Sequence, residues 1–239
     1  MMAGLITGSD GSLGEALCRE HDRRHKRAYE ACSPERHSRD DLLCIPRAIH
    51  TKNAIEAHLD VHLELVKRLD YAILNDGINH LSWIGQTPAA DEAIMLRNVM
   101  APYWTLNALV ARRERKPMRV VFVTSQTYRV PQRTTSLYCA SKAALTMLMK
   151  VAARELAPHG WIINAVAPGK IVDTEMSSRT DAQVMNLRGW RKEEMDNYAR
   201  NLIPMQRFTI KTEIADTIFQ TLALPSYVNG TVIEALGGV

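Results

Sequence analysis

Short apolar runs alternate with helical patterns along the chain, the arrangement that a parallel sheet with crossover helices produces. Residues 3–7, 71–74, 120–124, 162–166 and 231–233 are brief and largely apolar, as strands buried on both faces are. Between them the period lengthens. Leu13, Ala16 and Leu17 share one face of a helix after the first strand, and Leu145, Leu148, Met149, Ala152, Ala153 and Leu156 recur at the spacing of a longer one. Thr212-Glu213 opens a further helix with Ile214, Ile218 and Leu222 inward. In the stretch 25–50, residues 26–33 read as a second strand and 42–45 as a third. Ser33-Pro34-Glu35-Arg36 leaves little room for a full helix after the second, so this connection is abbreviated. The pattern predicts one doubly wound α/β domain over residues 1–239, its sheet mostly parallel with helices on both faces, without internal repeats.

Composition narrows the function classes. With 239 residues and 46% hydrophobic content, the chain can bury the core of a single domain. The net charge of +4 is mild. Basic residues gather at 19–27 and 112–119 with few aromatics among them, which suits solvated helix ends better than a nucleic-acid surface. Cys18, Cys32, Cys44 and Cys139 form no Cys-x-x-Cys pair and have no histidine at metal-ligand spacing. They are expected to be reduced thiols, no metal centre is expected, and the histidines, His80 and His159 included, read as ordinary polar residues. No apolar run reaches the length of about 18 residues needed to span a membrane, and the chain opens without a signal-peptide pattern, so a cytoplasmic location is expected.

Two motifs carry chemistry. Thr7-Gly8-Ser9-Asp10-Gly11-Ser12-Leu13-Gly14 leads from the first strand into the first helix. There glycines permit a sharp turn and close approach to a pyrophosphate, and the helix N-terminus offers free N–H groups to an anion. Tyr138 and Lys142 stand four apart, on one face of a helix. An ammonium beside a phenol favours its ionised form and is expected to lower a pKa of about 10, which fits Tyr138 for proton transfer. Ser125 lies thirteen residues upstream of Tyr138, where a strand ends.

In this order and spacing the chain resembles the short-chain dehydrogenase/reductase family, over nearly its whole length. The glycine loop is followed by Asn75-Asp76-Gly77, Asn98, Ser125, Tyr138 with Lys142, Asn164-Ala165-Val166-Ala167 before Pro168-Gly169, Glu213-Ile214-Ala215, and Asn229-Gly230-Thr231-Val232-Ile233 with Gly237-Gly238. The resemblance implies hydride transfer between NAD(P)(H) and a carbonyl or secondary alcohol. Ser125 and Tyr138 would donate to the substrate oxygen, Tyr138 would supply the proton, and Lys142 would hold the cofactor ribose. Asn98 would anchor a water that links Lys142 to solvent. The dinucleotide would lie along Thr7, Gly8, Asp10, Gly11, Ser12, Leu13 and Gly14, then Asn75, Gly77, Tyr138, Lys142, Pro168, Gly169, Ile171 and Thr174. A homodimer or homotetramer built on helices around 93–113 and 138–157 is implied as well.

The departures from the family pattern are local. Ser12 stands where many members have glycine, Leu74 replaces the first asparagine of Asn-Asn-Ala-Gly, Leu236 replaces a frequent aspartate, and Thr174 is one residue further from Pro168-Gly169 than usual. Glycines at 8, 11 and 14 also occur in the nucleotide-sugar epimerase branch, whose members need a further C-terminal domain. A cofactor-binding scaffold without turnover is the other alternative. The discriminating position at the end of the second strand falls at Cys32 or Ser33 with Arg36 and Arg39 beyond it, which favours NADP(H) over NAD(H); Glu30 and Glu35 favour NAD if the register slips. Residues 174–203 correspond to a substrate lid. Met176, Val184, Met185, Leu187, Trp190, Met195 and Tyr198, with Leu81, Trp83 and Ile84, are expected to make a mainly apolar pocket for a small molecule, without an arginine cluster.

Overall fold

Strands of four residues that bury every side chain need cover on both faces. The computed structural model, which describes residues 2–27, 38–86, 91–113 and 116–239, provides it. Its strands are β1 (Gly4–Thr7), β2 (Ser38–Arg39), β3 (Leu42–Ile45), β4 (Tyr71–Leu74), β5 (Arg119–Val123), β6 (Ile162–Pro168) and β7 (Val232–Ala235). Its helices are α1 (Ser12–Arg24), α2 (Lys52–Val61), α3 (Leu63–Arg68), α4 (Asp91–Met95), α5 (Ala101–Arg112), α6 (Ser136–Leu156), α7 (Glu175–Arg188), α8 (Lys192–Asn201) and α9 (Lys211–Leu222). The sheet runs β2-β3-β1-β4-β5-β6-β7, all parallel except the β2–β3 pair. Alternation along each strand divides the core. Leu5, Leu43, Leu74 and Phe122 face α2, α3, α5 and α6, including Leu59, Leu109, Leu145 and Met149. Ile6, Leu42, Ile73 and Val121 face α1 and α9, including Leu17, Ile214, Ile218 and Leu222.

The expected elements appear within a residue or two, with one relocation. Leu42–Ile45, expected as the third strand, pairs directly with β1, in register Leu5↔Leu43 and Thr7↔Ile45. Residues 26–33 do not supply the second strand as far as they are described: Lys26 and Arg27 leave α1 as a turn, and the remainder lies outside the described residues. Leu-Leu-Cys-Ile takes the place beside β1 because its four side chains can be covered on both faces. Among the described residues the chain reaches the sheet through the two-residue β2. The cysteine expectation needs a correction too. Cys18 and Cys139 are free, but Cys44 is disulfide-bonded. Among the described residues no helix is long and apolar enough to cross a membrane.

At the edge where the parallel strands begin, Gly4 makes a close approach possible. A Cβ there would lie 2.2 Å from Cζ of Tyr71, so only glycine lets the Tyr71 ring cross β1. The Tyr71 hydroxyl then meets Nδ1 of the buried His21 at 2.6 Å.

Candidate active site

The opposite edge, where β1, β3, β4, β5 and β6 end, opens into a cleft of about 1060 Å³. Crevices at this edge are where doubly wound sheets hold ligands. At one end lies the glycine loop. Gly8 has φ +64°, and a Cβ on Gly14 would sit 2.0 Å from the Gly8 carbonyl oxygen, so both positions require glycine. Gly11 is the N-cap of α1 and offers no side-chain cap, which leaves first-turn N–H groups facing the cleft for an anion. Ser12, in place of a glycine, accepts a hydrogen bond at 3.1 Å from the Glu175 backbone N–H, tying α7 to the loop.

Loop 75–78 is pinned from both sides. The Thr7 hydroxyl oxygen accepts from the backbone N–H groups of Asn75 (2.9 Å) and Asp76 (3.1 Å), and Asn75 Nδ2 donates to the Thr7 carbonyl at 3.1 Å. Asn98 is fully buried in a π-helical turn, Leu96–Met100, between α4 and α5. It accepts from Ile78 N–H at 2.8 Å, donates to the Ile78 carbonyl at 2.9 Å and donates to the Ser141 hydroxyl at 3.0 Å. Its side chain therefore holds the loop to α6. The bare face of Gly77 lies beside both groups: a Cβ there would be 3.2 Å from Asn98 Oδ1 and 3.3 Å from Lys142 Nζ.

Ser125 lies two residues beyond β5, and Tyr138 and Lys142 occupy the first two turns of α6. Ser125 stands near enough to Tyr138 for its hydroxyl to act on the phenol. Lys142 Nζ donates to the Val123 carbonyl at 3.1 Å and stands 5.7 Å from the centre of the Tyr138 ring. The electrostatics differ from the expectation. Burial pushes the Tyr138 phenol up to about 12, with the Ser125 hydroxyl opposing it. Burial likewise pushes the Lys142 ammonium down to about 8, with Asp76 opposing. Burial is the dominant influence on the phenol, and the Lys142 amine is held by the Val123 carbonyl. Near neutral pH the phenol is protonated, a state that can give a proton.

Of the sequence-predicted cofactor residues, Gly8, Gly11, Ser12, Leu13, Gly14, Asn75, Gly77, Tyr138, Lys142, Pro168, Gly169, Ile171 and Thr174 line the cleft. Thr7 and Asp10 do not; Thr7 holds loop 75–78, and Asp10 accepts from the Arg47 backbone N–H at 2.7 Å. Thr174 also caps α7, its hydroxyl accepting from Ser177 N–H at 3.1 Å. Ser33 and Arg36 lie outside the described residues. The sequence reading missed Arg47, two residues beyond the strand that actually flanks β1. Its Nη1 pairs with Glu175 at 3.1 Å, and its carbonyl accepts from Arg97, which also pairs with Asp76 at 3.1 Å. Correct strand order was the signal that would have found it.

The substrate end is more polar than expected. Leu81, Met176, Val184, Trp190, Met195 and Tyr198 line it, joined by Arg133, Arg179 and Arg188. Met185 and Leu187 do not line this cleft, and neither do Trp83 and Ile84, which are exposed. α7 contains no buried residue, as befits a cover rather than a core element.

Fold and cleft together define a dinucleotide-type α/β protein with a hydroxyl–phenol–amine group at its reactive end. The family model for short chain dehydrogenases matches residues 3–184, and the chain belongs to that family of oxidoreductases. It is 32% identical to the uncharacterised oxidoreductase YmfI of Bacillus subtilis over 73% of this chain and 68% of that one. It is 27% identical to the uncharacterised oxidoreductase YxjF of the same organism over 98% of this chain and 96% of that one. The sorbitol-6-phosphate 2-dehydrogenase of Erwinia amylovora shares the fold, with a TM-score of 0.86 and 17% identity over 99% of this chain and 98% of that one. Among solved structures that share the fold, a xylitol dehydrogenase holds NAD+ and actinorhodin polyketide ketoreductase holds NADPH.

Proposed function

We propose that the protein transfers hydride between NAD(P)(H) and the carbonyl or secondary alcohol carbon of a small molecule, with Tyr138 as general acid and base. The observation that carries this reading is the meeting of Ser125, Tyr138 and Lys142 in the same cleft as an uncapped helix N-terminus. The residues present fit the dinucleotide: the first turn of α1 suits its pyrophosphate, and the Lys142 amine has donors left for ribose hydroxyls after its bond to Val123. When bound, the nicotinamide supplies or accepts the hydride. In carbonyl reduction Ser125 and Tyr138 donate hydrogen bonds to the oxygen on which negative charge develops. Tyr138 then gives that oxygen its proton. Asn98, through Ile78 and Ser141, fixes the loop and helix that place Gly77 and Tyr138. Titration with NADPH and NADH, followed by a panel of ketones and secondary alcohols, tests the reading. Tight binding with no Tyr138-dependent oxidation of NADPH would make the protein a cofactor-binding scaffold instead.

Lys142 sets a pH signature. Its ammonium form is full below about 8 and is lost as pH rises through that value. The kcat/KM for carbonyl reduction is therefore expected to fall above about pH 8, and Lys142→Arg, which stays charged, should flatten that limb. An alkaline limb identical in both proteins would assign it to another group.

Arg47 supports a preference for NADP(H), because it stands at the end of the strand beside β1, where an arginine suits a ribose 2′-phosphate. Arg47→Ala is expected to weaken NADPH binding about 10–100-fold, the worth of a charged hydrogen bond, and to leave NADH binding nearly unchanged. Equal losses for both cofactors would show that Arg47 shapes the cleft without reading the phosphate. The apolar wall at Met176, Trp190 and Met195 supports a substrate with an apolar body. Exposed Tyr103 on α5, with Met147 and Val151 one turn apart on α6, supports a homo-oligomer.

A further inference from the structure

We propose that His21, His25 and Asp41 form a binding site for a divalent transition metal such as zinc, at the sheet edge opposite the cleft. One ligand atom from each residue falls within 4.8 Å of the others, and no ion is present there. Two of these atoms are buried without a hydrogen-bond partner, His21 Nε2 and Asp41 Oδ2, and they lie 3.5 Å apart. Tetrahedral zinc with bonds of about 2.0–2.1 Å keeps its ligand atoms roughly 3.3–3.4 Å from one another, so this separation is already that of a coordination edge. An ion between the two would satisfy both atoms at once.

The outer contacts are those a metal-bound histidine pair needs. His25 Nδ1 lies 2.7 Å from the His21 carbonyl oxygen, which can only accept, so the proton of neutral His25 sits on Nδ1 and Nε2 keeps its lone pair. His21 Nδ1 lies 2.6 Å from the Tyr71 hydroxyl, and Gly4 admits the ring that carries this hydroxyl. Such second contacts orient ligand rings and raise their basicity. The two histidines are one turn apart at the end of α1, their ring centres 4.1 Å apart. Arg27 pairs with the other Asp41 oxygen at 2.7 Å, and Arg39 pairs with neighbouring Asp22 at 2.9 Å, leaving Asp41 Oδ2 directed at His21. His25 is half-buried, which gives an ion a way in from solvent. Three protein ligands of the His₂-carboxylate kind leave one position for water.

The test uses the full chain, stripped with a chelator and titrated with zinc in competition with a chromophoric chelator, and separately loaded with cobalt(II). One zinc per chain, cobalt bands of tetrahedral type, and a loss of affinity of at least about 10–100-fold in His25→Ala are expected. Tyr71→Phe, which keeps all three ligands, should show a smaller loss. His25 is partly exposed, so its variant is expected to fold; a melting temperature that zinc raises in the wild type and not in His25→Ala completes the test. Zinc affinity unchanged in His25→Ala, octahedral cobalt spectra, or no stoichiometric binding would overturn the site and leave His21–Asp41 a buried polar pair.

Discussion

Replacing Tyr138 by phenylalanine is expected to lower carbonyl reduction by about 10²–10⁴-fold in kcat, the usual worth of a positioned proton donor, with NADPH affinity changed only a few-fold. The ring stays and only the hydroxyl goes, so packing on α6 is kept. What disappears is a proton held on oxygen, since burial places the phenol at about 12, together with one of two donors to the developing alkoxide. Ser125 alone would still donate, which is why residual turnover is expected. Steady-state rates of NADPH oxidation alongside fluorescence titration separate the two effects. A kcat near the wild-type value would remove Tyr138 from the acid role and with it the proposed chemistry.

Gly14→Ala is expected to have the next largest effect. Its Cβ would fall 2.0 Å from the Gly8 carbonyl oxygen and 2.7 Å from Ser9 Cα, both backbone atoms that cannot swing aside as a side chain would. The glycine loop must move away from α1, a form of overpacking that costs about 1–3 kcal/mol of stability. The larger consequence is positional. A shift of about 1 Å at the pyrophosphate end is enough to cost about 10²-fold in rate. Thermal unfolding and NADPH titration of the variant would show both losses; wild-type affinity would mean that the loop does not set the position of the cofactor. Gly11→Ala is the control, since its Cβ would meet the Gly8 oxygen at 3.3 Å, a contact that a small adjustment relieves.

The reactive end was legible in the sequence because its residues sit on regular elements. Ser125 follows closely on a strand, and Tyr138 and Lys142 share a helix face, so period and spacing suffice to bring them together. The same reading erred on the charges. It paired the Lys142 ammonium with the Tyr138 phenol, whereas the amine is held by the Val123 carbonyl and desolvated, details that depend on tertiary packing. The adenosine end was less legible for a different reason. Strand order is not written in local periodicity, and assigning 26–33 to the place beside β1 put the discriminating residue at Ser33 and Arg36. The pairing of Leu42–Ile45 with β1 puts Arg47 there instead. His21, His25 and Asp41 were passed over because Asp41 is sixteen residues from His25 in the chain and is brought to it by the β2–β3 hairpin.

That hairpin also governs how the molecule behaves toward other chains. Open sheets are vulnerable along their borders, where unpaired amide and carbonyl groups can recruit a stranger's backbone. Here the border beside β3 is a two-residue antiparallel strand, Ser38–Arg39, with Arg39 engaged by Asp22. So short and charged a margin gives an incoming strand little to template on. Among the described residues, that short margin keeps the flank resistant to aggregation.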